Sequence, residues 1–100
     1  MEIPPDVFGK GLRIYHFQNI IVNTGSKIGE NCSIIGNVCI GGKNGGKGAQ
    51  IGDNCELGVF SAVIGDLVLG DNVKVGAGAI VTKSFPKDNI VLVGVPAREL

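Results

Sequence analysis

Branched aliphatic residues recur at every sixth position over most of the chain. They form two unbroken series, Val22, Ile28, Ile34 and Ile40, then Ile51, Leu57, Val63, Leu69, Val75 and Val81. A second set of mostly small or thin side chains lies four residues after these positions, at Ser26, Cys32, Val38, Cys55, Ser61, Leu67, Val73 and Ala79. An α-helix needs apolar spacings of three and four and a simple strand needs a spacing of two, so a period of six indicates neither. It predicts a coil of about eighteen residues with three flat sides, in which each side is one short strand and each corner is one turn.

Both series are predicted to point into this coil. The large aliphatic residues would fill the axis, and the small residues would fill the corners beside it. A glycine directly after the aliphatic residue and an asparagine two positions later are expected at corners where φ is positive. Successive coils are expected to pair as in a parallel sheet, which places Ile51 beneath Leu69, Leu57 beneath Val75 and Val63 beneath Val81.

The period breaks once, between Ile40 and Ile51, in a stretch rich in glycine. Residues 41–50 are therefore predicted to form a protruding, flexible loop of the kind that carries function on rigid scaffolds. Beyond Val81, residues 83–89 are predicted to form a turn and residues 90–95 a last strand, and no helix is expected. Residues 1–100 are thus predicted to be one all-β domain, a single-stranded parallel β-helix of about five coils.

Composition agrees with this architecture and argues against several partners. Seventeen glycines without a Gly-X-Y period exclude collagen and suit many tight corners. A net charge of zero, without a stripe of Lys and Arg, argues against nucleic acid and anionic membranes. The first residues lack the basic and apolar regions of a signal peptide, and three cysteines without a CxxC spacing are interpreted as reduced thiols, so a cytoplasmic protein is expected.

His16 is the only histidine in the sequence. It lies in the polar and aromatic stretch 15–19, which interrupts the aliphatic period. A neutral imidazole serves as a general base near neutral pH, and a hydroxyl nucleophile needs such a base. The alternative is a histidine with a purely structural role at a coil corner.

Several stretches resemble the hexapeptide-repeat acyltransferases, in particular the serine acetyltransferase branch and its relatives that O-acetylate sugars of surface polysaccharides. The resemblance lies in residues 9–16 and 20–23, the six-residue repeats (called hexads here), the Gly41-Gly42 loop, and residues 75–79 and 94–97. It implies a left-handed coil, a trimer, and acetyl-CoA lying along a groove between coils. It also implies that His16 takes the proton of the acceptor hydroxyl as that hydroxyl attacks the thioester carbonyl.

The same resemblance assigns further site residues. The acid that orients the base corresponds to Glu2, with Asp6 as a second candidate. Gly41 and Gly42 correspond to positions near the thioester, and Ala77, with Val59 one coil earlier, to a position whose backbone meets pantetheine. Lys83 and Arg98 are expected to contact the phosphates of CoA. For the charged residues the alternative is a solvated surface charge, and no metal is expected.

The sequence departs from the serine acetyltransferase pattern in two ways. Serine acetyltransferases carry a second histidine in the loop, whereas residues 47–50 here contain none. They also carry a helical N-terminal domain that builds a hexamer, whereas this chain begins directly at the coil. Both departures favour a sugar hydroxyl or an unknown alcohol over serine, and a trimer over a hexamer. They leave open that the chain is a truncated form of a longer enzyme.

Two other interpretations share the predicted fold. The γ-type carbonic anhydrases need three histidines around zinc, and a single histidine argues against that class, since Cys32 and Cys55 are interpreted as core residues. The second is a non-catalytic trimeric β-helix that binds CoA weakly or not at all. The leading hypothesis is an acetyl-CoA-dependent O-acetyltransferase that acts on the hydroxyl of a small acceptor, serine or a sugar.

Overall fold

A computed structural model describes residue 3 and residues 6–16, 18–42 and 46–100. In this part of the chain every regular element is a strand of two or three residues. The strands are β1 (Arg13–Ile14), β2 (Ile21–Val22), β3 (Lys27–Ile28), β4 (Ser33–Ile34), β5 (Cys39–Gly41), β6 (Gln50–Ile51), β7 (Glu56–Leu57), β8 (Ala62–Ile64), β9 (Val68–Leu69), β10 (Lys74–Val75), β11 (Ile80–Val81), β12 (Val91–Val93) and β13 (Arg98–Glu99). No helix among the described residues is long and apolar enough to cross a membrane.

The strands form three sheets that are the three faces of one coil. The first face contains β3, β6 and β9, and the third face contains β2, β5, β8 and β11. The second face contains β1, β4, β7, β10 and β12 in parallel, with β13 antiparallel at its end. From β1 to β12 consecutive strands lie on different faces, so each of these strands pairs in parallel with one a full coil away. The five parallel strands of the second face give the number of coils that the spacing predicts.

The stacking register confirms the predicted alignment of the hexads. The aliphatic and the small-residue positions of both series are all buried, so one apolar core follows the coil axis. The three predicted stacks are present, since Ile51 pairs with Leu69, Leu57 with Val75 and Val63 with Val81.

Two of the small core positions are cysteines that lie one coil apart. The Sγ atoms of Cys32 and Cys55 donate to the carbonyl oxygens of Gly52 and Gly70, at 3.3 Å in each case. The adjacent thiol of Cys32, together with burial, raises the pKa of Cys55. Cys39 is half-buried on the outer side of the third face, and all three thiols are free. The interpretation of Cys32 and Cys55 as core residues is confirmed.

The corners use asparagine and glycine for different reasons. Asn31, Asn54 and Asn72 have φ angles of 58°, 57° and 56°, the left-handed conformation expected of them. Gly52, which follows an aliphatic residue, does not adopt positive φ. A Cβ at Gly52 would lie 2.5 Å from the carbonyl oxygen of Gly70 in the next coil. The expectation of positive φ is therefore wrong for this glycine, which is required because stacked backbones approach closely.

The corner between the first and second faces carries four acidic residues and is called here the acidic corner (Glu30, Asp53, Asp71 and Asp88). Oδ1 of Asp53 accepts from the backbone N–H of Glu30 at 2.8 Å. In the same way, Oδ1 of Asp71 accepts from the N–H of Asp53 at 2.8 Å, and Oδ1 of Asp88 accepts from the N–H of Asp71 at 2.7 Å. These bonds satisfy backbone donors at a corner that no strand pairing covers.

The glycine loop has fewer residues than the predicted range 41–50. β5 extends to Gly41 and β6 begins at Gln50, and the residues just before β6, Gly48 and Ala49, are already buried. Ala49 accepts from the N–H of Lys27 at 2.9 Å, as a member of the small-residue series would. The coil therefore resumes two residues earlier than the predicted loop 41–50 allows.

The C-terminal end also differs from the expectation. Residues 90–95 do not form one strand, because β12 ends at Val93 and the chain turns at Gly94, where φ is 94°. The turn contains the cis Val95–Pro96 bond, and β13 then returns antiparallel to β12. The predicted strand was too long because positive φ at Gly94 reverses the chain before another face is built.

Candidate active site

His16 lies at the corner between the second and third faces, just after β1. β1 pairs with β4 at an offset of twenty residues, but β2 pairs with β5 at an offset of eighteen. The first coil therefore has two extra residues at this corner, which is the break in the aliphatic period around His16. The side chain of His16 is exposed. A Cβ at Gly36, in the next coil, would lie 2.9 Å from the Cβ of His16, so this glycine leaves room for the histidine.

Beneath His16 the same corner is built by Gly36, Val59 and Ala77, and these four residues are called here the His16 column. The N–H of Phe60 donates to the carbonyl of Gly36 at 3.2 Å, and the N–H of Gly78 donates to the carbonyl of Val59 at 2.9 Å. Neighbouring coils lie about 4.8 Å apart, so the column extends for roughly 14 Å along the coil axis. The structure thus places three predicted site residues, His16, Val59 and Ala77, on one line.

Of the two predicted carboxylates, the structure describes Asp6, which lies at a different corner from His16. Glu2 lies outside the described residues. Asp6 immediately precedes Val7, whose carbonyl accepts from the N–H of Ile28 in β3, so Asp6 lies at the start of the first face. Along the chain, the first and second faces lie between Asp6 and His16, so the two residues lie at different corners of the first coil. The one ion pair found among the described residues joins Lys87 to Glu99, 3.2 Å apart, and does not involve His16.

Gly41 and Gly42 lie where the chain leaves the third face, at a position called here the loop corner. Gly41 pairs with Ile64, and a Cβ at Gly41 would lie 3.4 Å from Cδ1 of Ile64, an ordinary contact. Packing in this chain therefore does not require glycine at position 41. Gly42 is exposed, and a Cβ there would lie 2.5 Å from Nδ2 of Asn23, the end of a movable side chain.

The returning half of the glycine loop is held by Asp66. The N–H of Gly48 donates to Oδ1 of Asp66 at 2.7 Å. A Cβ at Gly46 would collide with the same carboxylate, so the loop backbone passes directly over it. Gly48 has a φ of 88°, a conformation that glycine adopts without strain. Asp66 was not predicted from the sequence, and it fixes the position of the loop relative to the next coil.

Lys83 and Arg98 line one cavity at the C-terminal end of the third face, with a volume of about 460 Å³. Nζ of Lys83 lies 5.4 Å from the centroid of the Phe85 ring. Both cations are exposed, and the one ion pair seen in residues 3, 6–16, 18–42 and 46–100 involves neither. Two positive charges at one cavity can bind a phosphate group. The remaining walls are Thr82, Gly94, Val95, Pro96 and Ala97.

His16 and the loop corner lie on opposite edges of the third face, so a single chain does not bring them together. The outer side of this face is apolar, and its outward residues are Ile21, Cys39, Ala62 and Ile80. Ile21 is 48% exposed. The outer side of the second face is instead mostly polar, with Arg13, Ser33, Glu56, Lys74 and Val91. The two halves of the predicted site are therefore separated by an apolar surface.

Phe60 borders the His16 column and was not predicted either. Like Asp66, it occupies the hexad position just before a buried small or thin side chain. The other repeats carry asparagine or glycine there, at Gly25, Asn31, Asn37, Asn54, Asn72 and Gly78. These two departures from the repeat were the signal that the sequence offered for both residues.

Comparison with known proteins gives relatives for the whole coil. Residues 48–83 match the family model described as bacterial transferase hexapeptide (six repeats). A serine acetyltransferase of Synechococcus elongatus is 31% identical over 102 residues, which cover 98% of this chain and 41% of that protein. A serine acetyltransferase of Buchnera aphidicola subsp. Schizaphis graminum is 35% identical over 99 residues, which cover 95% of this chain and 38% of that protein.

Solved structures give the same result for the fold. The crystal structure of Neisseria gonorrhoeae serine acetyltransferase in complex with serine matches with a TM-score of 0.86 and 35% identity, over 91% of this chain and 38% of that one. A serine acetyltransferase in complex with CoA matches with a TM-score of 0.85 and 27% identity, over 93% and 38%. The chain spans about two-fifths of the length of these relatives. The similarity confirms the left-handed parallel β-helix of hexapeptide repeats.

Proposed function

We propose that the chain, a member of the serine acetyltransferase-like hexapeptide-repeat acyltransferases, transfers the acetyl group of acetyl-CoA to a hydroxyl of a small acceptor. The observation that carries this proposal is the His16 column, with an exposed imidazole at one end and a cavity bearing two cations at the opposite end of the coil stack. One of the similar structures is a serine acetyltransferase in complex with CoA, an extended thiol with phosphate groups whose acetyl thioester is acetyl-CoA. An extended anionic thioester suits this arrangement.

His16 is assigned the role of general base. Its imidazole takes the proton from the acceptor hydroxyl while the oxygen attacks the carbonyl carbon of the thioester. The carbon–sulfur bond then breaks, and the imidazolium returns the proton to the departing thiolate of CoA. Glu2 is assigned the orienting role that carboxylates have beside catalytic histidines.

The remaining predicted residues are assigned to acetyl-CoA. The pantetheine arm would run along the His16 column past Val59 and Ala77, where corner backbone groups are within reach. Lys83 and Arg98 would bind the phosphates, since both cations line one cavity. Gly41 and Gly42 would lie near the thioester, where the absence of a side chain lets the backbone approach closely.

We assign the complete site to a homotrimer, with His16 from one copy and the loop corner from its neighbour. Two observations support this arrangement: the halves lie on opposite edges of the third face, and the outer side of that face is apolar. In a closed ring each copy offers one edge to the copy before it and the other edge to the copy after it. Burial of Ile21 and Ile80 against neighbouring copies would stabilise such a ring.

The acceptor is assigned as a hydroxyl compound, either a sugar or serine. Similar structures include serine acetyltransferases in complex with serine and with cysteine. The loop of this chain contributes Lys47 and buried Gly48 and Ala49 where the family pattern has a histidine, so an additional base is not provided there. We place a sugar hydroxyl first and serine second. The cytoplasmic location stays a prediction.

The test is acetyl transfer from acetyl-CoA to a panel of sugars and to serine, measured by release of the CoA thiol. His16→Ala is expected to lower the transfer rate by about 10²–10⁴-fold, the contribution typical of a general base. Gln18→Ala, an exposed polar residue at the same corner, is the matched control and should retain activity. If the His16→Ala protein matches wild type with every acceptor, the assignment of the base is wrong.

A binding measurement separates catalysis from binding alone. CoA at 100 times its Kd should stabilise the protein by about 2.7 kcal/mol, and His16→Ala should keep this shift. Lys83→Ala should weaken it, whereas Lys27→Ala, on the outer side of the first face, should not. Binding without transfer to any acceptor would support the non-catalytic alternative, and the absence of any shift at millimolar CoA would reject the CoA site.

Subunit mixing tests the shared site. His16→Ala and Gly42→Asp chains would each be inactive alone, but a ring refolded from both contains some sites with an intact histidine and an intact loop. Partial recovery of activity is therefore expected. A monomer in sedimentation, or no recovery from a mixture that forms trimers, would reject the shared site.

A further inference from the structure

Phe60 occupies a backbone position that suits asparagine and glycine. In the coils around it the equivalent residues are Asn37 and Gly78, and all three have positive φ, 52° at Asn37, 60° at Phe60 and 72° at Gly78. For a bulky aromatic residue this conformation is unusual and unfavourable. Phe60 also interrupts a ladder of amide side chains, because Nδ2 of Asn19 donates to Oδ1 of Asn37 at 2.8 Å and Phe60 cannot extend it.

Burial within the chain does not offset this strain. Phe60 is 66% exposed, more than Tyr15 or Ile21 at the same corner. Strained backbone positions are concentrated at active sites and ligand-binding sites. The aromatic side chain at this position therefore needs an explanation outside the packing of the monomer.

Phe60 lies beside the His16 column. Its N–H binds the carbonyl of Gly36, and its chain neighbour is Val59, so the residue flanks the His16 column midway along its length. In the next coil, a Cβ at Gly78 would meet nothing within 4 Å, which leaves open space beside the ring. The exposed phenyl ring therefore forms an apolar surface beside open space at the His16 column.

We infer that Phe60 is a contact residue for the pantetheine arm of acetyl-CoA. The arm carries methyl and methylene groups, which an exposed phenyl ring binds by removing apolar surface from water. Phe60 thus acts in cofactor affinity and takes no part in proton transfer. The inference rests on the proposed function, since it takes the His16 column as the path of the cofactor.

Phe60→Asn and Phe60→Gly test the inference, because both residues suit positive φ. A residue present only for stability would lose stability on replacement. Here both variants are expected to melt at the wild-type temperature or above it, while the KM for acetyl-CoA and the Kd for CoA rise about tenfold, a loss of about 1.4 kcal/mol. The value of kcat and the KM for the acceptor should be unchanged, as expected when binding is lost equally in the ground and transition states.

Val68→Asn is the matched control, since Val68 is 44% exposed on the outer side of the first face. It should leave the KM for acetyl-CoA unchanged. An unchanged Kd for CoA in Phe60→Asn, with active wild type, would overturn the inference and leave the proposed function intact. Dissociation of the Phe60→Asn trimer in sedimentation would also overturn it, because the ring would then be a contact between copies. Wild type without CoA binding would reject the proposed function itself.

Discussion

Replacing Gly52 by alanine tests how closely the coils are stacked. A Cβ at Gly52 would lie 2.5 Å from the carbonyl oxygen of Gly70 and 2.7 Å from its carbonyl carbon, and it would collide with Oδ1 of Asp71. These atoms are rigid, because β6 pairs with β9 on one side of the glycine and Asp71 accepts from the N–H of Asp53 on the other. Relief therefore requires the two coils to separate at the acidic corner.

The expected cost follows from two contributions. Overpacking of a well-packed interior costs about 1–3 kcal/mol. Separation of the coils also weakens two hydrogen bonds, from Gly52 to Leu69 and from Asp53 to Asp71, each contributing about 0.5–1.5 kcal/mol. Gly52→Ala should thus lower the free energy of unfolding by about 4 kcal/mol, a large part of the roughly 5–15 kcal/mol of a typical domain.

Gly76→Ala is the matched control. Gly76 also follows a buried aliphatic residue and has no positive φ, but a Cβ there would lie 3.3 Å from both the carbonyl oxygen of Leu92 and Cγ1 of Val93. A small adjustment of the neighbouring atoms accommodates this Cβ. The lower conformational entropy of the unfolded alanine variant stabilises its folded state by about 0.4–1 kcal/mol, which offsets part of the cost of the contact. Urea unfolding at a fixed protomer concentration measures both variants. Equal midpoints for the two variants would refute the argument that close stacking requires the glycine.

Three further substitutions test the core and the loop corner. Val75→Asp places a charge without a partner in the coil axis and should unfold the protein, as seen by circular dichroism; a folded variant of wild-type stability would refute the inward register. Ser61→Ala should raise the free energy of unfolding by about 1 kcal/mol, because the buried hydroxyl has no hydrogen-bond partner among the described residues; lower stability in urea would show that the hydroxyl is bonded. Gly41→Ala should fold normally, since its Cβ has ordinary contacts, yet raise the KM for acetyl-CoA; an unchanged KM would remove Gly41 from the thioester site.

The period of the sequence was sufficient to predict the coil, its core and its stacking register. The spacing of six identifies which side chains of each repeat point inward. The pairing of Val63 with Val81 follows from the spacing alone. The spacing does not predict left-handedness, because a coil of either hand has the same period. Left-handedness was predicted from the resemblance.

The remaining differences arise from contacts between coils, which a period along the chain does not describe. The spacing marks Gly52 as a corner residue but does not say that the backbone of Gly70 lies against it. Asp66 holds a loop that departs from the coil one turn earlier, so no local pattern links the two. Phe60 is recognisable only as an aromatic residue where the other repeats have asparagine or glycine. For the site, the sequence singled out His16 correctly as a break in the repeat, and its role as a base stays a prediction.

The antiparallel pairing of β13 has a consequence for self-association. A parallel β-helix is in principle an open polymer, because its last coil presents unpaired backbone groups that template another coil of the same kind. β13 covers the edge of β12 in the opposite direction, and both of its side chains are exposed, so it offers no inward residue on which a further coil could build. The N–H of Leu100 completes this edge by donating to the carbonyl of Val91 at 2.8 Å. On the second face, a reversal of chain direction thus blocks end-to-end growth into a fibril.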